Sequence, residues 1–155
     1  MKSMILFYSN SGKTEKLAKE IQNALGSDIL KVEPEKPYGK GLSAILRMIM
    51  ERVRGTIPAI RTEVPNLSSY DVVLVGFPVW ANDVPALLTH FVKKCNLTGK
   101  TLIPFATSGG SGIEKSVNTL KRINPDSKIT LEHLYASSTG EGFEQWLQSI
   151  RSVLT

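Results

Sequence analysis

The sequence predicts an α/β fold in which helices cover both faces of a parallel five-stranded sheet, giving three layers. First, short apolar runs alternate along the chain with longer segments of helical periodicity, a pattern that builds parallel sheets through right-handed crossovers. Second, the segments Met4–Tyr8 and Asp71–Gly76 carry continuous apolar runs, which are typical of strands covered on both faces. Because there is no internal repeat and no linker, residues 1–155 are expected to form a single domain.

The first half of the chain continues this alternation. Lys13–Leu25 has apolar residues at helical spacing, and Gly26 stands where a C-terminal cap belongs. Ile29–Val32 has the character of a short strand, and Leu42–Arg54 that of the next helix. One apolar stripe runs along that second helix, formed by Leu42, Ile45, Leu46, Ile49 and Val53. Such a stripe is the pattern of a helix that packs against a core.

Two methionines leave a second interpretation of that helix open. Met48 and Met50 flank the apolar stripe, and the helix also carries several arginines. Packing in the core or at its rim is one interpretation, since methionine fills irregular gaps. A face that docks on a membrane or on a partner is the other.

The second half alternates helix and strand in the same way. Pro85 is suited to the first position of a helix, where its missing N–H needs no partner. Thr101–Ala106 has strand character, although Pro104 cannot donate to a neighbouring strand. Lys128–Leu134 alternates polar and apolar residues and predicts one uninterrupted edge strand. Two more helices are indicated by Ile113, Val117 and Leu120, and by Phe143, Trp146, Leu147, Ile150 and Leu154.

Composition narrows the classes of function. No apolar run approaches the roughly 20 residues of a membrane-spanning helix, and the N-terminus lacks signal-peptide features, so we expect a cytoplasmic protein without a membrane span. Cys95 is the single cysteine, and the two histidines lie far apart in sequence, so no metal site is expected. The net charge is +5, but the basic residues are not interleaved with aromatic ones, which argues against a nucleic-acid partner.

Small polar residues follow the first predicted strand in what we call loop 1. Its members are Ser9, Asn10, Ser11, Gly12, Lys13 and Thr14. Small residues and a glycine allow backbone N–H groups to converge on one anion, and the hydroxyl groups add further donors. The helix N-terminus adds partial positive charge, so a phosphate is the expected ligand. A plain strand-to-helix turn with a capping side chain is the alternative. A triphosphatase phosphate loop would need glycine where Phe7 stands, so ATP or GTP hydrolysis is disfavoured.

Two further loops follow the third and fourth predicted strands. Loop 2 spans Phe77–Asp83, and its candidate binding residues are Pro78, Val79, Trp80 and Ala81. Loop 3 spans Thr107–Gly112, and its candidates are Thr107, Ser108, Gly109, Gly110 and Gly112. Trp80 can stack on a flat ring or pack as core. The three glycines permit close backbone approach and positive φ angles. Ligands of open parallel sheets bind at the carboxyl ends of strands, so all three loops are expected to share one edge.

These loops resemble those of the flavodoxin family in order and spacing over nearly the whole chain. The resemblance is carried by Tyr8–Thr14, by Gly76–Trp80 and by Gly99–Gly112, which includes Pro104. It implies a flavodoxin-like doubly wound sheet of strand order 2-1-3-4-5 and non-covalently bound FMN. The phosphate would lie on loop 1 and the flavin ring between loops 2 and 3. Two features depart from the family: the chain is basic, and Ala81 stands where many relatives carry a second tryptophan.

Three functions remain open on this basis. The resemblance implies low-potential electron transfer between redox partner proteins, a reductase and an acceptor, with no catalytic residue of the chain's own. The first alternative is an FMN-dependent NAD(P)H oxidoreductase that reduces a quinone or a nitro compound. The small Ala81 beside Trp80 would leave room for such a substrate. The second alternative is a flavin-free binding module on the same fold.

Overall fold

Strands and helices alternate along the chain in the computed structural model, which describes residues 1–136 and 142–155. The strands are β1 (Ser3–Phe7), β2 (Asp28–Lys31), β3 (Val72–Pro78), β4 (Thr101–Ser108), β5 (Lys128–Ile129) and β6 (His133–Ala136). The helices are α1 (Lys13–Leu25), α2 (Leu42–Arg54), α3 (Ala86–Lys94), α4 (Glu114–Ile123) and α5 (Phe143–Leu154). Within the described residues, none of the helices has the length and apolar content to cross a membrane.

The strands form one parallel sheet of order β2-β1-β3-β4-β5, with β6 also paired to β4. This confirms the doubly wound fold class and the strand order. Register is fixed along the centre, where Ile5 of β1 lies opposite Leu74 of β3, and Leu74 lies opposite Ile103 of β4. Because these strands are parallel, the loops that follow β1, β3 and β4 leave the sheet at the same edge.

The last strand position is interrupted, so the prediction of one continuous strand over Lys128–Leu134 is wrong. Residues 130–132 separate β5 from β6. Leu131 lies between them with a φ of 53°, a left-handed conformation that takes the chain out of the strand. Its carbonyl oxygen accepts a hydrogen bond from the indole Nε1 of Trp146 on α5. The Leu131 carbonyl, which has no neighbouring strand here, is therefore hydrogen-bonded to a side chain of α5.

The interruption explains how Pro104 fits in a strand that has neighbours on both sides. The carbonyl oxygen of Leu102 accepts from the N–H of Thr130 at 3.0 Å, so even-numbered residues of β4 face the last strand position. Pro104 therefore turns its missing N–H toward the gap between β5 and β6. No N–H partner is lost there, which removes the conflict that the sequence presents.

Apolar side chains alternate between the two faces of the sheet and build two cores. On one face, Ile5, Leu74 and Phe105 pack against α1 and α5. On the other face, Leu6 and Val75 pack against α3 and α4. The three central strands, β1, β3 and β4, all contain fully buried residues, which is typical of strands covered on both faces. Because helices pack on both faces of the central strands, the strand ends from which the loops begin are held in fixed positions.

Helix α2 departs from the sequence prediction in the direction that its apolar stripe faces. All five stripe residues are exposed, and they are Leu42, Ile45, Leu46, Ile49 and Val53. Ala44 is the buried residue of the helix, and Met48 packs at the edge of the core beside it. The periodicity correctly predicts an amphipathic helix, but it does not determine which face meets the protein.

Cys95 directly follows α3 and is buried. Burial raises the pKa of its thiol to about 11. We expect iodoacetamide at pH 8 to alkylate the folded protein roughly a hundredfold more slowly than the urea-unfolded protein, because the thiolate is the reactive form. Mass spectrometry of timed samples measures both rates. Equal rates in the folded and unfolded protein would place Cys95 at the surface.

Candidate functional site

The three loops surround one cavity at the carboxyl edge of the sheet. Its volume is about 340 Å³, and residues of loops 1, 2 and 3 all line it. Eight of the predicted binding residues are among them: Ser11, Lys13, Pro78, Val79, Trp80, Thr107, Ser108 and Gly109. The predicted convergence of the loops is thus present in the structure.

The remaining predicted residues lie around this cavity and do not line it. Ser9 and Asn10 line a smaller neighbouring cavity of about 210 Å³. The Asn10 amide donates to the carbonyl of Gly39 at 3.1 Å and so ties loop 1 to the segment after β2. Five others line neither cavity: Gly12, Thr14, Ala81, Gly110 and Gly112.

Loop 1 curls so that its backbone donors are available at the start of α1. The N–H of Gly12 donates to Ser9 Oγ at 3.2 Å, and Gly12 has a φ of 91°. Within residues 1–136 and 142–155, the N–H groups of Ser11, Lys13 and Thr14 have no hydrogen-bond partner. Unpartnered N–H groups at a helix N-terminus form a site for an anion, and the helix dipole adds to it.

A direct contact joins loop 1 to loop 3. The hydroxyl groups of Thr14 and Thr107 lie 2.8 Å apart in a hydrogen bond. Thr14 is buried in the first turn of α1, and Thr107, the first residue of loop 3, is the second-last residue of β4. This hydrogen bond fixes the distance between the anion site and the backbone of loop 3.

Loop 2 is a tight hairpin whose geometry is set by two residues of left-handed conformation. Trp80 and Asp83 exchange two backbone hydrogen bonds, each 3.0 Å long. Between them, Ala81 has a φ of 48° and Asn82 a φ of 64°, the pattern of a type I′ turn. The Asp83 carboxylate accepts from the hydroxyl of Thr119 on α4 at 2.8 Å. Loop 2 is therefore anchored to the helix that follows loop 3.

Trp80 takes part in both arrangements that the sequence leaves open. It lines the cavity, and it also packs edge-on against two tyrosines, with ring centroids 5.4 Å away for Tyr8 and 5.1 Å for Tyr38. Burial raises the pKa of both tyrosines, so they stay neutral at ordinary pH. Held from behind by these rings, the indole has a fixed position at the cavity wall.

A serine side chain shapes the backbone of loop 3. None of Gly109, Gly110 and Gly112 has a positive φ, so the loop does not use the left-handed conformation that glycine permits. Ser108 supplies the turn instead, since its hydroxyl donates to the carbonyl of Ser111 at 2.7 Å and accepts from the N–H of Gly110 at 3.1 Å. A Cβ added at any of the three glycines would have no atom within 4 Å. The open space leaves their backbone accessible to a ligand.

The comparisons with known proteins bear on this site. A family model described as flavodoxin matches residues 2–150. The chain belongs to the flavodoxin family. A candidate flavoprotein of Bacteroides eggerthii is 31% identical, with a TM-score of 0.78, over 98% of this chain and 96% of its own. A candidate flavoprotein of Bacteroides uniformis is 28% identical, with a TM-score of 0.83, over 95% and 97%.

One structural neighbour was solved in complex with FMN. The flavoprotein of Lactobacillus acidophilus in complex with FMN is 20% identical, with a TM-score of 0.72, over 94% of this chain and 97% of its own. At that identity the likeness extends to the fold. No curated protein matches the chain.

The donor set of this flavodoxin fits FMN. A phosphate monoester needs several N–H or hydroxyl donors, and loop 1 offers unpartnered N–H groups, the Ser11 hydroxyl and the Lys13 ammonium group. A flat apolar ring needs apolar walls, and Val79 and Trp80 supply them. Gly109 of loop 3 lines the same cavity and can offer its backbone N–H group to the ring.

Sequence reasoning missed four residues of the cavity wall. Lys16, Leu17 and Glu20 come from α1, and Tyr135 comes from β6. The three helix residues lie three, four and seven positions after Lys13, on the same side of α1, so helical spacing indicated them. Tyr135 had no such signal, because its place depends on the interruption between β5 and β6.

Proposed function

We propose that this flavodoxin binds FMN at loops 1, 2 and 3 and transfers electrons between a reductase and an acceptor protein. One observation carries the proposal. A site for an anion, formed by the start of α1, opens into the same cavity as an indole held at a fixed position. A mononucleotide with a flat ring contains both a phosphate for the anion site and a ring to lie beside the indole.

Each loop has a separate task in this proposal. The N–H groups of Ser11, Lys13 and Thr14 bind the phosphate, and the Lys13 side chain adds a full positive charge. Val79 and Trp80 cover one side of the ring and exclude water from it, while Gly109 brings backbone close to the other side. FMN supplies one- and two-electron transfer when it is bound. The protein contributes binding, orientation and the surrounding charge.

Residues around the cavity would also tune the bound flavin. Lys13 and Lys16 line the cavity together with Glu20, so the wall carries one more positive than negative side chain. Positive charge near the ring favours the reduced, more negative form of a flavin. We therefore assign the two lysines a role in setting the potential as well as in holding the phosphate.

A second candidate is an FMN-dependent NAD(P)H oxidoreductase acting on a quinone or a nitro compound. The observation that favours it is Ala81, an exposed residue of the tight turn beside Trp80. Loop 2 therefore presents one large ring, where many relatives would present two. The space beside Trp80 could admit a small aromatic substrate.

Anaerobic stopped-flow spectroscopy separates the two candidates. The FMN-loaded protein is mixed with excess NADH or NADPH, and the flavin absorbance is followed with and without a flavodoxin reductase. We expect the absorbance to persist for minutes with the nicotinamide alone and to fall within seconds once the reductase is added. Free FMN under the same conditions is the control. Bleaching within seconds without the reductase would contradict the electron-carrier proposal and support the enzyme.

A further inference from the structure

Helix α2 presents an apolar face to solvent. Six residues of this helix form what we call the α2 face, and they are Leu42, Ile45, Leu46, Ile49, Met50 and Val53. Their side chains are between 43% and 78% exposed. Ile57, just beyond the helix, is 58% exposed and extends the same surface. At about 100° per residue, the six side chains fall within an arc of about 140°.

The polar side of α2 is the side that meets the protein. Arg47 donates from Nε to Glu51 Oε1 at 2.9 Å, and its guanidinium lies 4.0 Å from the centre of the Tyr38 ring. The Tyr38 hydroxyl donates to the same Glu51 carboxylate. These contacts fix the rotation of the helix, so the apolar face is held outward.

Positive charge is concentrated around this face. Residues 36–57 contain five basic residues and one acidic residue, a net charge of +4 within a chain of +5. Glu51 is the acidic one, and it is turned inward with its side chain 13% exposed. Among the described residues, the exposed Lys36, Lys40, Arg52 and Arg54 form no salt bridge. The outward surface of α2 is thus apolar at its centre, with cations beside it and no carboxylate.

We propose that the α2 face docks the protein on the surface of a membrane that contains anionic phospholipid. A helix with an apolar face and basic flanks lies in the plane of the interface, with its apolar side chains among the acyl chains. The long side chain of Arg54 can extend from the edge of the stripe to the headgroups, and the exposed Arg52, on the other side of the stripe, adds positive charge there. At about 1.5 Å per residue, the 13-residue helix gives a docking ridge about 20 Å long.

Two other occupants agree less well with this surface. A second copy would bring two such faces together, each with a net charge of +4, and like charges would oppose the contact. A protein interface is enriched in aromatic residues and carries a polar rim of mixed charge. The α2 face contains aliphatic residues and methionine, without an aromatic ring or an outward carboxylate. A uniformly anionic, deformable surface matches that composition better.

The α2 face lies next to the candidate flavin site. The Arg52 guanidinium donates to the carbonyl oxygens of Ala81 and Val84 at 3.4 and 3.5 Å, which joins α2 to loop 2. Membrane docking would therefore hold loop 2 close to the bilayer. The proposal does not rest on bound FMN, since every residue that it uses belongs to α2 and its flanks.

Vesicle flotation tests this proposal. The full-length protein is mixed with vesicles of phosphatidylcholine alone, or of phosphatidylcholine and phosphatidylglycerol in equal parts, at low and at high salt. We expect binding to the mixed vesicles to be at least tenfold stronger than to the neutral ones, and to weaken in high salt. The double variant Leu46→Glu/Ile49→Glu is expected to lose at least tenfold in binding.

The exposure of both side chains makes this variant a fair test of the surface. Leu46 and Ile49 are not buried, so circular dichroism should show the variant folded like the wild type. Val64→Glu is the matched control, because Val64 is 44% exposed but lies outside α2, and its binding should be unchanged.

Each other outcome overturns the proposal. If the double variant binds as well as the wild type, the α2 face is not the docking surface. If neutral and anionic vesicles bind equally, the positive charge does not contribute to docking. No flotation, together with a dimer that the double variant dissociates, would favour a second copy. No flotation by a monomeric protein would favour an acidic protein partner.

Discussion

Gly76→Ala is expected to lower the free energy of unfolding by about 2–3 kcal/mol, because an added methyl group would overlap a buried ring. A Cβ at this position would lie 2.1 Å from Cζ of Phe105 and 2.4 Å from its Cε2. The Phe105 side chain is fully buried and contacts Trp146, with ring centroids 6.2 Å apart. The ring cannot move aside without disturbing the core beneath α5. Urea unfolding followed by circular dichroism measures the change.

Two variants control this prediction. Gly110→Ala adds the same methyl group where no atom lies within 4 Å, so its stability should stay within about 0.5 kcal/mol of the wild type. The double variant Gly76→Ala/Phe105→Leu should be more stable than the sum of the two single changes predicts, since the smaller side chain leaves room for the methyl group. Wild-type stability of Gly76→Ala would show that β3 and β4 are not packed as described.

Ser11→Asp is expected to weaken FMN binding by at least about a hundredfold, which corresponds to about 2.7 kcal/mol. Ser11 lines the cavity within loop 1, so the new carboxylate would stand beside the phosphate and repel it. The same carboxylate at a helix N-terminus should leave the fold intact or stabilise it slightly. Quenching of flavin fluorescence during titration measures the affinity.

Riboflavin and a neutral variant serve as controls that separate repulsion of the phosphate from a general loss of flavin binding. Riboflavin lacks the phosphate, so its affinity for Ser11→Asp should stay within about twofold of that for the wild type. Ser11→Asn has nearly the size of the aspartate variant without its charge, and it should retain most of the FMN affinity. A loss of riboflavin binding as large as that of FMN would place the phosphate somewhere other than loop 1.

Local sequence patterns predicted the features of the fold that depend on local physical chemistry. The bounds of α1 and the left-handed cap at Gly26 follow from helical spacing and from the freedom of glycine. The strand order follows from alternating strands and helices, once the resemblance to flavodoxins is added. The convergence of loops 1, 2 and 3 follows from parallel strands, whose carboxyl ends share an edge.

Features that depend on contacts distant in sequence could not be predicted in this way. The α2 periodicity gave an amphipathic helix, but the Arg47–Glu51 pair and its contacts with Tyr38 decide that the apolar side faces outward. Pro104 conflicted with a central strand until the gap between β5 and β6 appeared opposite it. Loop 3 obtains its turn from the Ser108 hydroxyl, so its glycines do not use the positive φ angles that they permit.

The central claim is that loops 1, 2 and 3 form one FMN site, and titration of the flavin-free protein with FMN tests it most directly. We expect one FMN to bind per chain with quenched flavin fluorescence, and riboflavin to bind at least about tenfold more weakly because it cannot use loop 1. Equal affinity for FMN and riboflavin would contradict the phosphate site. A protein that stays colourless and binds neither flavin would contradict the whole account and favour a flavin-free binding module.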